Sequence, residues 1–386
     1  MRRRILESAY PVLCLLFAIT GASPTAEAAL PADIEKGLAV ETLPQASKHW
    51  VWVNDLVFPH MADGAALLID GDSGKFLGTL STGFGFMHVL LPHDGKLIYS
   101  PETYFSRGNR GTRTDVVSIY DAKTLSPVGE IAIPPKRSAN LPMMANNVLT
   151  DDDRFLLIYN FNPAQSLTIV DVNARKMASE VETPGCALAY PTGPRSFFSV
   201  CGDGSLALGR IDETGKASIA RSEPIFALGR DPVTEKAVRR GNTWFFVTYE
   251  GLIYPVTVQG GKAGKGATWW LTSAEERKQG WRPGGLQQLA IDADARLYAI
   301  MHMGGPYTHQ DPGKDVWVYD TRTHQRLMQV GLHELASSIQ VSSDAEPLLF
   351  TVSPDRPALD IYGAHDGRFL RTVDQVGTTP MLLVTP

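Results

Sequence analysis

Residues 151–171 have the sequence DDDRFLLIYNFNPAQSLTIVD, and this stretch decides the fold class. Hydrophobic and aromatic residues occupy 155–159 and 167–170, and turn-forming Asp, Asn and Pro residues lie before, between and after them. Runs of β-branched and aromatic residues bounded by turn formers are typical of two strands joined as a hairpin. The sequence therefore predicts a β-hairpin here.

The same pattern recurs along most of the chain. Copies of its first half are DGKLIYS at 94–100, PRSFFSV at 194–200, GNTWFFVTYEG at 241–251, ADARLYAIM at 293–301 and SDAEPLLFTV at 343–352. Copies of its second half begin at Ala65, Val116, Leu167, Leu206, Leu252, Val316 and Leu359. These seven copies lie about 40 to 65 residues apart, the range of propeller blades with about four strands each.

A single copy cannot bury its own hydrophobic face, whereas seven copies in a ring can. We therefore predict an all-β protein, a seven-bladed β-propeller over 49–386, with both ends of that range contributing to closure of the ring. The length of 386 residues would otherwise suggest two or three domains, but the repeat continues without a linker. The 35 glycines and 26 prolines fit a chain with many turns.

The first residues have the features of a secretory signal peptide. Three arginines at 2–4 precede a hydrophobic run at 10–19, and AEA at 26–28 supplies small residues for cleavage. A membrane anchor is the alternative, but the run is short for spanning a bilayer. We expect a signal peptide at 1–28, a polar N-terminal arm at 29–48 and an exported protein. The net charge of −5 gives no reason to expect nucleic-acid binding.

Two of the three cysteines are candidates for a disulfide. Cys14 lies in the predicted signal peptide, which leaves Cys186 and Cys201 in the mature chain. They flank a turn at 191–194 between two apolar stretches, so a hairpin could bring them together. In an oxidising compartment we expect them to pair. Two buried thiols are the alternative.

No known catalytic motif stands out. The sequence contains no GxSxG motif, Walker loop or dinucleotide fingerprint. His302 and His309 share a loop with Asp311, and His88 and His93 flank a turn, but neither pair has the spacing of a zinc site. We therefore expect no metal. The residues alone predict an exported propeller without a visible active site.

Two segments carry features beyond the repeat. SRGNRGTRTD at 106–115 places Arg107, Arg110 and Arg113 in one loop, which could be solvated, could form internal salt bridges or could dock an acidic partner. Between the fifth and sixth copies, TSAEE at 272–276 contains capping-box registers and Gly280 is placed to end a short helix. WRPGG at 281–285 follows. This insertion could be a structural plug or a functional loop.

These particular residues resemble the heavy subunit of the tryptophan tryptophylquinone amine dehydrogenases, the methylamine and aromatic amine dehydrogenase family of bacterial periplasms. The resemblance rests on SRGNRGTRTD at 106–115, on Cys186 and Cys201 followed by GDGSL, on WRPGG at 281–285, and on EPLLF with the final repeat at 346–372. It covers nearly all of the mature chain in order. It implies a seven-bladed propeller and a heterotetramer of two heavy and two light chains.

The resemblance also implies a reaction. A primary amine and water would give an aldehyde and ammonia, and the electrons would pass to a small copper protein such as amicyanin or azurin. The quinone is made from two tryptophans of the light subunit, which also holds the catalytic base. No catalytic residue, cofactor or metal is therefore expected in this chain.

The preferred substrate is inferred from the stretches that resemble one branch of the family or the other. PPKRS at 134–138 and PRSFFSVCGDG at 194–204 look closer to the aromatic amine branch, whereas WRPGGLQQLA at 281–290 and the final repeat look closer to the methylamine branch. Methylamine is favoured. A periplasmic YVTN-like propeller that only binds, without a catalytic partner, is the alternative function.

One residue of this chain is expected near the substrate. In the family, a phenylalanine after the first blade lines the route by which amine reaches the light-chain quinone. Thr82-Gly83-Phe84-Gly85 stands at this place, with the phenylalanine matched and its flanks different. The resemblance thus implies that Phe84 lines the substrate channel. A packing residue beneath the loop is the alternative.

Overall fold

The computed structural model describes residues 41–386. Their strands form seven antiparallel sheets arranged in a ring, so the predicted seven-bladed β-propeller is confirmed. The predicted signal peptide at 1–28 and the arm up to residue 40 lie outside the described residues. The division into signal peptide, arm and propeller therefore stays a prediction.

The first four blades are numbered in chain order. Blade 1 contains β1 (Trp50–Asp55), β2 (Gly64–Asp70) and β3 (Phe76–Gly83); blade 2 contains β4 (Leu97–Phe105), β5 (Arg113–Asp121) and β6 (Pro127–Ile133). Blade 3 contains β7 (Asn147–Leu149), β8 (Phe155–Asn160), β9 (Ser166–Asp171) and β10 (Lys176–Glu182). Blade 4 contains β11 (Cys186–Gly193), β12 (Ser196–Cys201), β13 (Leu206–Ile211) and β14 (Ala217–Arg221).

The last three blades include some additional short strands. Blade 5 contains β15 (Val238–Arg240), β16 (Thr243–Val247), β17 (Leu252–Gln259), β18 (Lys262–Lys265) and β19 (Trp269–Trp270). Blade 6 contains β20 (Trp281–Pro283), β21 (Leu289–Ile291), β22 (Arg296–Met303), β23 (Gly313–Asp320) and β24 (Arg326–Ala336). Blade 7 contains β25 (Ser338–Val341), β26 (Leu348–Ser353), β27 (Arg356–Gly363) and β28 (Phe369–Asp374), and β29 (Pro380–Val384) returns to blade 1.

Both ends of the described chain close the ring. Strand β29 pairs with β1, so blade 1 combines a C-terminal strand with three strands from the N-terminal part. Val53 lies opposite Leu383, and the Asn54 side-chain amide donates to Leu382 O at 3.0 Å. The predicted closure is confirmed.

The hairpin at 151–171 shows why the sequence gives this fold. Strands β8 and β9 pair from Phe155 opposite Asp171 to Asn160 opposite Ser166, as predicted. Every residue of both strands is buried. Middle strands of a propeller blade are covered by neighbouring blades on both sides, and such strands have continuous rather than alternating hydrophobic runs. The outermost strand β10 has no buried residue.

The connections divide between two faces because consecutive strands of a blade are antiparallel. One face, here named the inter-blade face, carries the connections from the outermost strand of each blade to the innermost strand of the next. It also carries the loops between the second and third strands of each blade. The opposite face carries the remaining turns. Along the axis, the innermost strands surround a cavity of about 560 Å³.

Within the part of the chain that the structure describes, three short helices interrupt the strands. Two are 3-10 helices, Phe58–Asp63 and Met144–Asn146, and one is an α-helix, α1, at Ala274–Lys278. The predicted helix signals are confirmed, because Ser273 and Glu276 form both bonds of a capping box and Gly280 has a φ of 92° just after the helix. Among residues 41–386, no helix is long and hydrophobic enough to span a bilayer.

Candidate functional site

Cys186 and Cys201 form a disulfide on the inter-blade face of blade 4. They lie directly opposite each other where β11 begins and β12 ends. Both are buried, in a small cluster with Ala207 and Ile219. The predicted disulfide is confirmed, and the alternative of two free thiols is wrong.

The four histidines considered as metal ligands are dispersed among other contacts. His88 is buried between the carbonyls of Val89 and Met144, and this burial lowers its pKa. His93 is exposed and lies 2.8 Å from Asp153. Burial also lowers the pKa of His302 and of His309. Within residues 41–386, no three His, Cys, Asp or Glu side chains are grouped to hold a metal ion.

The inter-blade face carries most of the exposed large hydrophobic side chains. They lie in its loops or at the strand ends that reach it: Phe58, Tyr104, Leu141, Phe161, Leu228, Trp270, Met303, Tyr307 and Leu335. Nine of the thirteen exposed large hydrophobic side chains of the described residues thus gather on one face. This face is therefore the candidate surface for a partner subunit.

Phe84 lies on the same face, in the connection from blade 1 to blade 2. Gly83 and Gly85 on either side have φ values of 69° and 87°, which favour glycine. The Phe84 ring is half-buried and packs edge-on against Phe105, with ring centroids 5.2 Å apart. One side of the ring thus packs on blade 2 while part of it remains accessible.

The backbone around Phe84 is fixed by neighbouring segments, although two glycines could have made it mobile. The amide of Phe84 donates to Thr103 O at 2.8 Å, and that of Phe86 donates to Ala139 O at 2.9 Å. The amide of Gly85 donates to Met61 O at 3.2 Å. A substrate that reached this loop would meet a wall with a defined shape.

The three arginines of the 106–115 loop have different surroundings. Arg107 and Arg110 are exposed at the tip of the β4–β5 loop on the inter-blade face. Arg113 is half-buried and forms a two-bond ion pair with Asp115, with distances of 2.7 and 2.8 Å. The loop therefore exposes two positive charges and pairs the third with Asp115.

The insertion between blades 5 and 6 packs against its neighbours. Glu276 of α1 forms an ion pair with Arg326 of β24 at 2.8 Å, and the Arg277 guanidinium lies 4.1 Å from the Trp270 ring centroid. In the WRPGG segment, a side chain at Gly284 would collide with the His302 ring. These contacts hold the insertion against blade 6, as a structural plug or a rigid functional loop would require.

Sequence reasoning missed two fully buried ionisable groups, Glu102 and Arg137. The Glu102 side chain accepts hydrogen bonds of 2.5 Å from both Tyr104 and Ser118, and its burial raises its pKa. Arg137 lies beneath the Phe84 loop with 2% of its surface exposed. The contacts of Arg137 join different blades, and those of Glu102 join neighbouring strands of blade 2, so no local motif of the sequence indicated them.

The sequence model of the methylamine dehydrogenase heavy chain family matches residues 47–386. The chain belongs to this family. It is 33% identical to the methylamine dehydrogenase heavy chain of Paracoccus versutus over 82% of this chain and 75% of the relative. It is 28% identical to that of Methylophilus methylotrophus over 92% of this chain and 87% of the relative.

Solved structures with low identity support the fold. A functionally unknown protein from Desulfotomaculum acetoxidans has a TM-score of 0.62 at 12% identity, covering 87% of this chain and 98% of that one. Dihydro-heme d1 dehydrogenase NirN has a TM-score of 0.51 at 14% identity, and the match covers 90% of this chain and 77% of that one. At these identities the likeness concerns the fold alone.

Membership of the heavy chain family confirms the resemblance predicted from the sequence. It makes this chain the heavy chain of an oxidoreductase complex of the amine dehydrogenase type, and it implies a light-chain partner. It favours this interpretation over a YVTN-like propeller that only binds.

Proposed function

We propose that this chain is the heavy subunit of a periplasmic quinoprotein amine dehydrogenase, with methylamine as the favoured substrate. The observation that carries the proposal is the family match over 47–386, supported by relatives named methylamine dehydrogenase heavy chain. In the proposed reaction, one primary amine and one water give one aldehyde, one ammonia, two electrons and two protons. The electrons leave singly to a small copper protein, such as amicyanin or azurin.

The light subunit docks on the inter-blade face, in an assembly of two heavy and two light chains. The exposed hydrophobic side chains of this face support the proposal, because they would be removed from water in the complex. Arg107 and Arg110 would guide the encounter by facing acidic groups of the light chain. Arg113 would act indirectly, since its guanidinium is paired with Asp115.

Tryptophan tryptophylquinone and the catalytic base belong to the light subunit in this proposal. The quinone accepts the two electrons of the amine. The heavy chain contributes no catalytic residue and no metal ligand, and its own part is to cover the site, exclude water and shape the route of the amine. The placement of Phe84 on the docking face suits this part.

Phe84 is proposed to line that route. Its ring is half-buried on a backbone held by three hydrogen bonds, so its accessible part forms a fixed apolar wall. Such a wall sorts amines by side-chain size, at about 1 to 3 kcal/mol for each methylene-sized difference.

The periplasm is the proposed location. The disulfide between Cys186 and Cys201 supports it, because disulfides persist in oxidising compartments. The signal-peptide features of residues 1–28 support it from the sequence.

Expression with and without a light chain of the same family tests the proposal. With the light chain, the two chains should copurify, show the visible absorption of the quinone and reduce a dye when methylamine is added. The heavy chain alone should be folded, colourless and inactive. Turnover of methylamine by the isolated heavy chain, or failure of the folded heavy chain to bind the light chain, would overturn the proposal.

A further inference from the structure

Arg137 contacts the Phe84 loop from inside the protein. Its Nη2 donates to Phe84 O at 2.9 Å and its Nη1 donates to Phe86 O at 3.1 Å. The residue lies 53 positions from Phe84 in the chain and comes from the connection between blades 2 and 3. One guanidinium thus joins two carbonyls of one short loop.

The two carbonyls converge because of the residue between them. Gly85 has a φ of 87°, and a Cβ there would lie 2.5 Å from Ala139 O, so only glycine fits. With this turn, the oxygens of Phe84 and Phe86 reach the same guanidinium. Arginine suits the position because its planar group presents several N–H donors in a fixed fork, which a lysine ammonium does not.

The backbone of Arg137 is fixed independently of its side chain. Its amide donates to Asp115 Oδ2 at 3.0 Å, and its carbonyl accepts from Arg113 Nη2 at 2.8 Å. It also forms an isolated β-bridge with Asn160 of blade 3. Arg137 is therefore anchored on blades 2 and 3 and reaches towards the connection from blade 1.

The buried charge of Arg137 has few other partners. The Asp115 carboxylate accepts from the Arg113 guanidinium and from Thr103, and its one bond to Arg137 goes to the backbone amide. Burial lowers the pKa of Arg137 to about 10, so the guanidinium stays charged at neutral pH. Burying an arginine without a direct carboxylate contact is costly. The hydrogen bonds of its side chain go instead to the two loop carbonyls, those of Phe84 and Phe86.

We propose that Arg137 is a positioning residue, which fixes the Phe84–Phe86 loop and through it the Phe84 ring that sorts amines. The part concerning amines rests on the proposed function. The effect is indirect, since the guanidinium binds the carbonyls of the loop and not the Phe84 ring itself.

The test uses Arg137→Met and Arg137→Lys in the assembled enzyme. Methionine keeps the hydrophobic length without a donor, whereas lysine keeps a charge and donors but not the fork. Arg356→Met is the control, because the Arg356 guanidinium also donates two hydrogen bonds, but to Asp360 in blade 7 and far from the Phe84 loop in the chain. Two quantities are measured: amide hydrogen exchange along the chain and the ratio of kcat/KM for methylamine to that for a bulky amine.

Arg137→Met should speed exchange at 84–86 by about tenfold, with a smaller increase for Arg137→Lys and none for the control. It should change the kcat/KM ratio about fivefold, with no further change when Phe84 is already alanine. Unchanged exchange at 84–86, or an equal change of the ratio in the Phe84→Ala background, would overturn the proposal.

The proposed substrate route can fail separately. If Phe84→Ala leaves the kcat/KM ratio unchanged while Arg137→Met speeds exchange only at 84–86, the amine route past Phe84 is wrong and the positioning of the loop by Arg137 is supported. If Arg137→Met does not fold, hydrogen exchange and the kcat/KM ratio are both measured on Arg137→Lys. The results that support or overturn the proposal are then the same.

Discussion

The hydroxyl oxygen of Tyr120 lies 3.1 Å from a carboxyl oxygen of Glu102, with Glu102 fully buried. The same hydroxyl lies 2.8 Å from Ser81 O, which can only accept a hydrogen bond. A tyrosine hydroxyl has one hydrogen, so when it donates to Ser81 the Glu102 carboxyl must donate to Tyr120. Burial raises the pKa of Glu102, and a protonated Glu102 carboxyl would supply the hydrogen of this contact.

This protonation gives a stability prediction. An acid whose pKa is raised by folding stabilises the folded state fully at pH values below its unfolded pKa of about 4.3. This stabilisation is lost as the pH rises through the folded pKa. Glu102→Gln carries one donor and one acceptor at every pH, like the protonated acid. We expect Glu102→Gln to gain in Tm relative to the wild type as the pH rises from 5 to 8.

Thermal unfolding of both proteins across this pH range is the measurement. Asp360→Asn is the control, because Asp360 is also buried but accepts from Arg356. It should destabilise the protein at neutral pH by leaving a guanidinium without its partner. A difference in Tm between Glu102→Gln and the wild type that stays constant from pH 5 to 8 would show that Glu102 is already charged at pH 5.

The disulfide allows a second prediction. Cys186 and Cys201 are separated by 15 residues, and closing a loop of this size stabilises by about 3 kcal/mol in the chain-entropy model. The double variant Cys186→Ala, Cys201→Ala should lose about this much unfolding free energy in a urea titration. Reductant should destabilise the wild type and leave the double variant unchanged. Two titratable thiols in the denatured, unreduced mature protein would contradict the bond.

Local signals in the sequence predicted the repeating part of this structure. In the sequence, each blade could be recognised by hydrophobic runs between turn-forming residues. These runs are continuous because strands such as β8 and β9 are buried along their whole length. The capping box of Ser273 and the position of Gly280 predicted the helix for a similar reason, since both act within one turn. The opposition of Cys186 and Cys201 followed from a single hairpin.

Contacts between blades could not be predicted in this way. Arg137 meets Phe84 only because two inter-blade connections pack together. Within blade 2, Glu102 meets Tyr120 across two paired strands, and no local motif indicated this contact either. The surroundings of Arg113 also differ from those of Arg107 and Arg110, although all three belong to one loop. Side-chain direction and burial decide these cases, and the spacing of residues in the sequence does not report them.

The exposed arginines of the β4–β5 loop give a third prediction. Arg107→Glu with Arg110→Glu should slow association with the light subunit, and the slowing should diminish as salt is raised, because exposed charges act mainly on encounter. We expect about a tenfold loss of the association rate at low salt. Surface-immobilised light chain and soluble heavy chain would provide the rates.

A charge-matched control separates this effect from net charge. Lys123→Glu with Lys216→Glu changes the same number of charges in turns of the opposite face, where both lysines are exposed. It should leave the rate nearly unchanged. Equal slowing by both double variants would mean that overall charge, and not a docking site at Arg107 and Arg110, controls association.

Phe84 gives the last prediction. Replacing it with alanine removes a ring that packs on Phe105 and leaves a wider space beside the loop. In the reconstituted complex, Phe84→Ala should change the ratio of kcat/KM for small to bulky amines by about tenfold, because the lost wall no longer excludes the larger side chain. Steady-state rates with methylamine and with an aromatic amine supply the ratio.

Phe369→Ala is the matched control for lost packing. Phe369 is also partly exposed and packs edge-on against an aromatic neighbour, Tyr362, with ring centroids 5.4 Å apart in blade 7. Both variants should lose some thermal stability through the removed contacts. Only Phe84→Ala should change the amine ratio, since only Phe84 lies at the proposed substrate route. If Phe84→Ala lowers Tm as the control does and leaves the ratio in place, Phe84 is a packing residue and the amine takes another route.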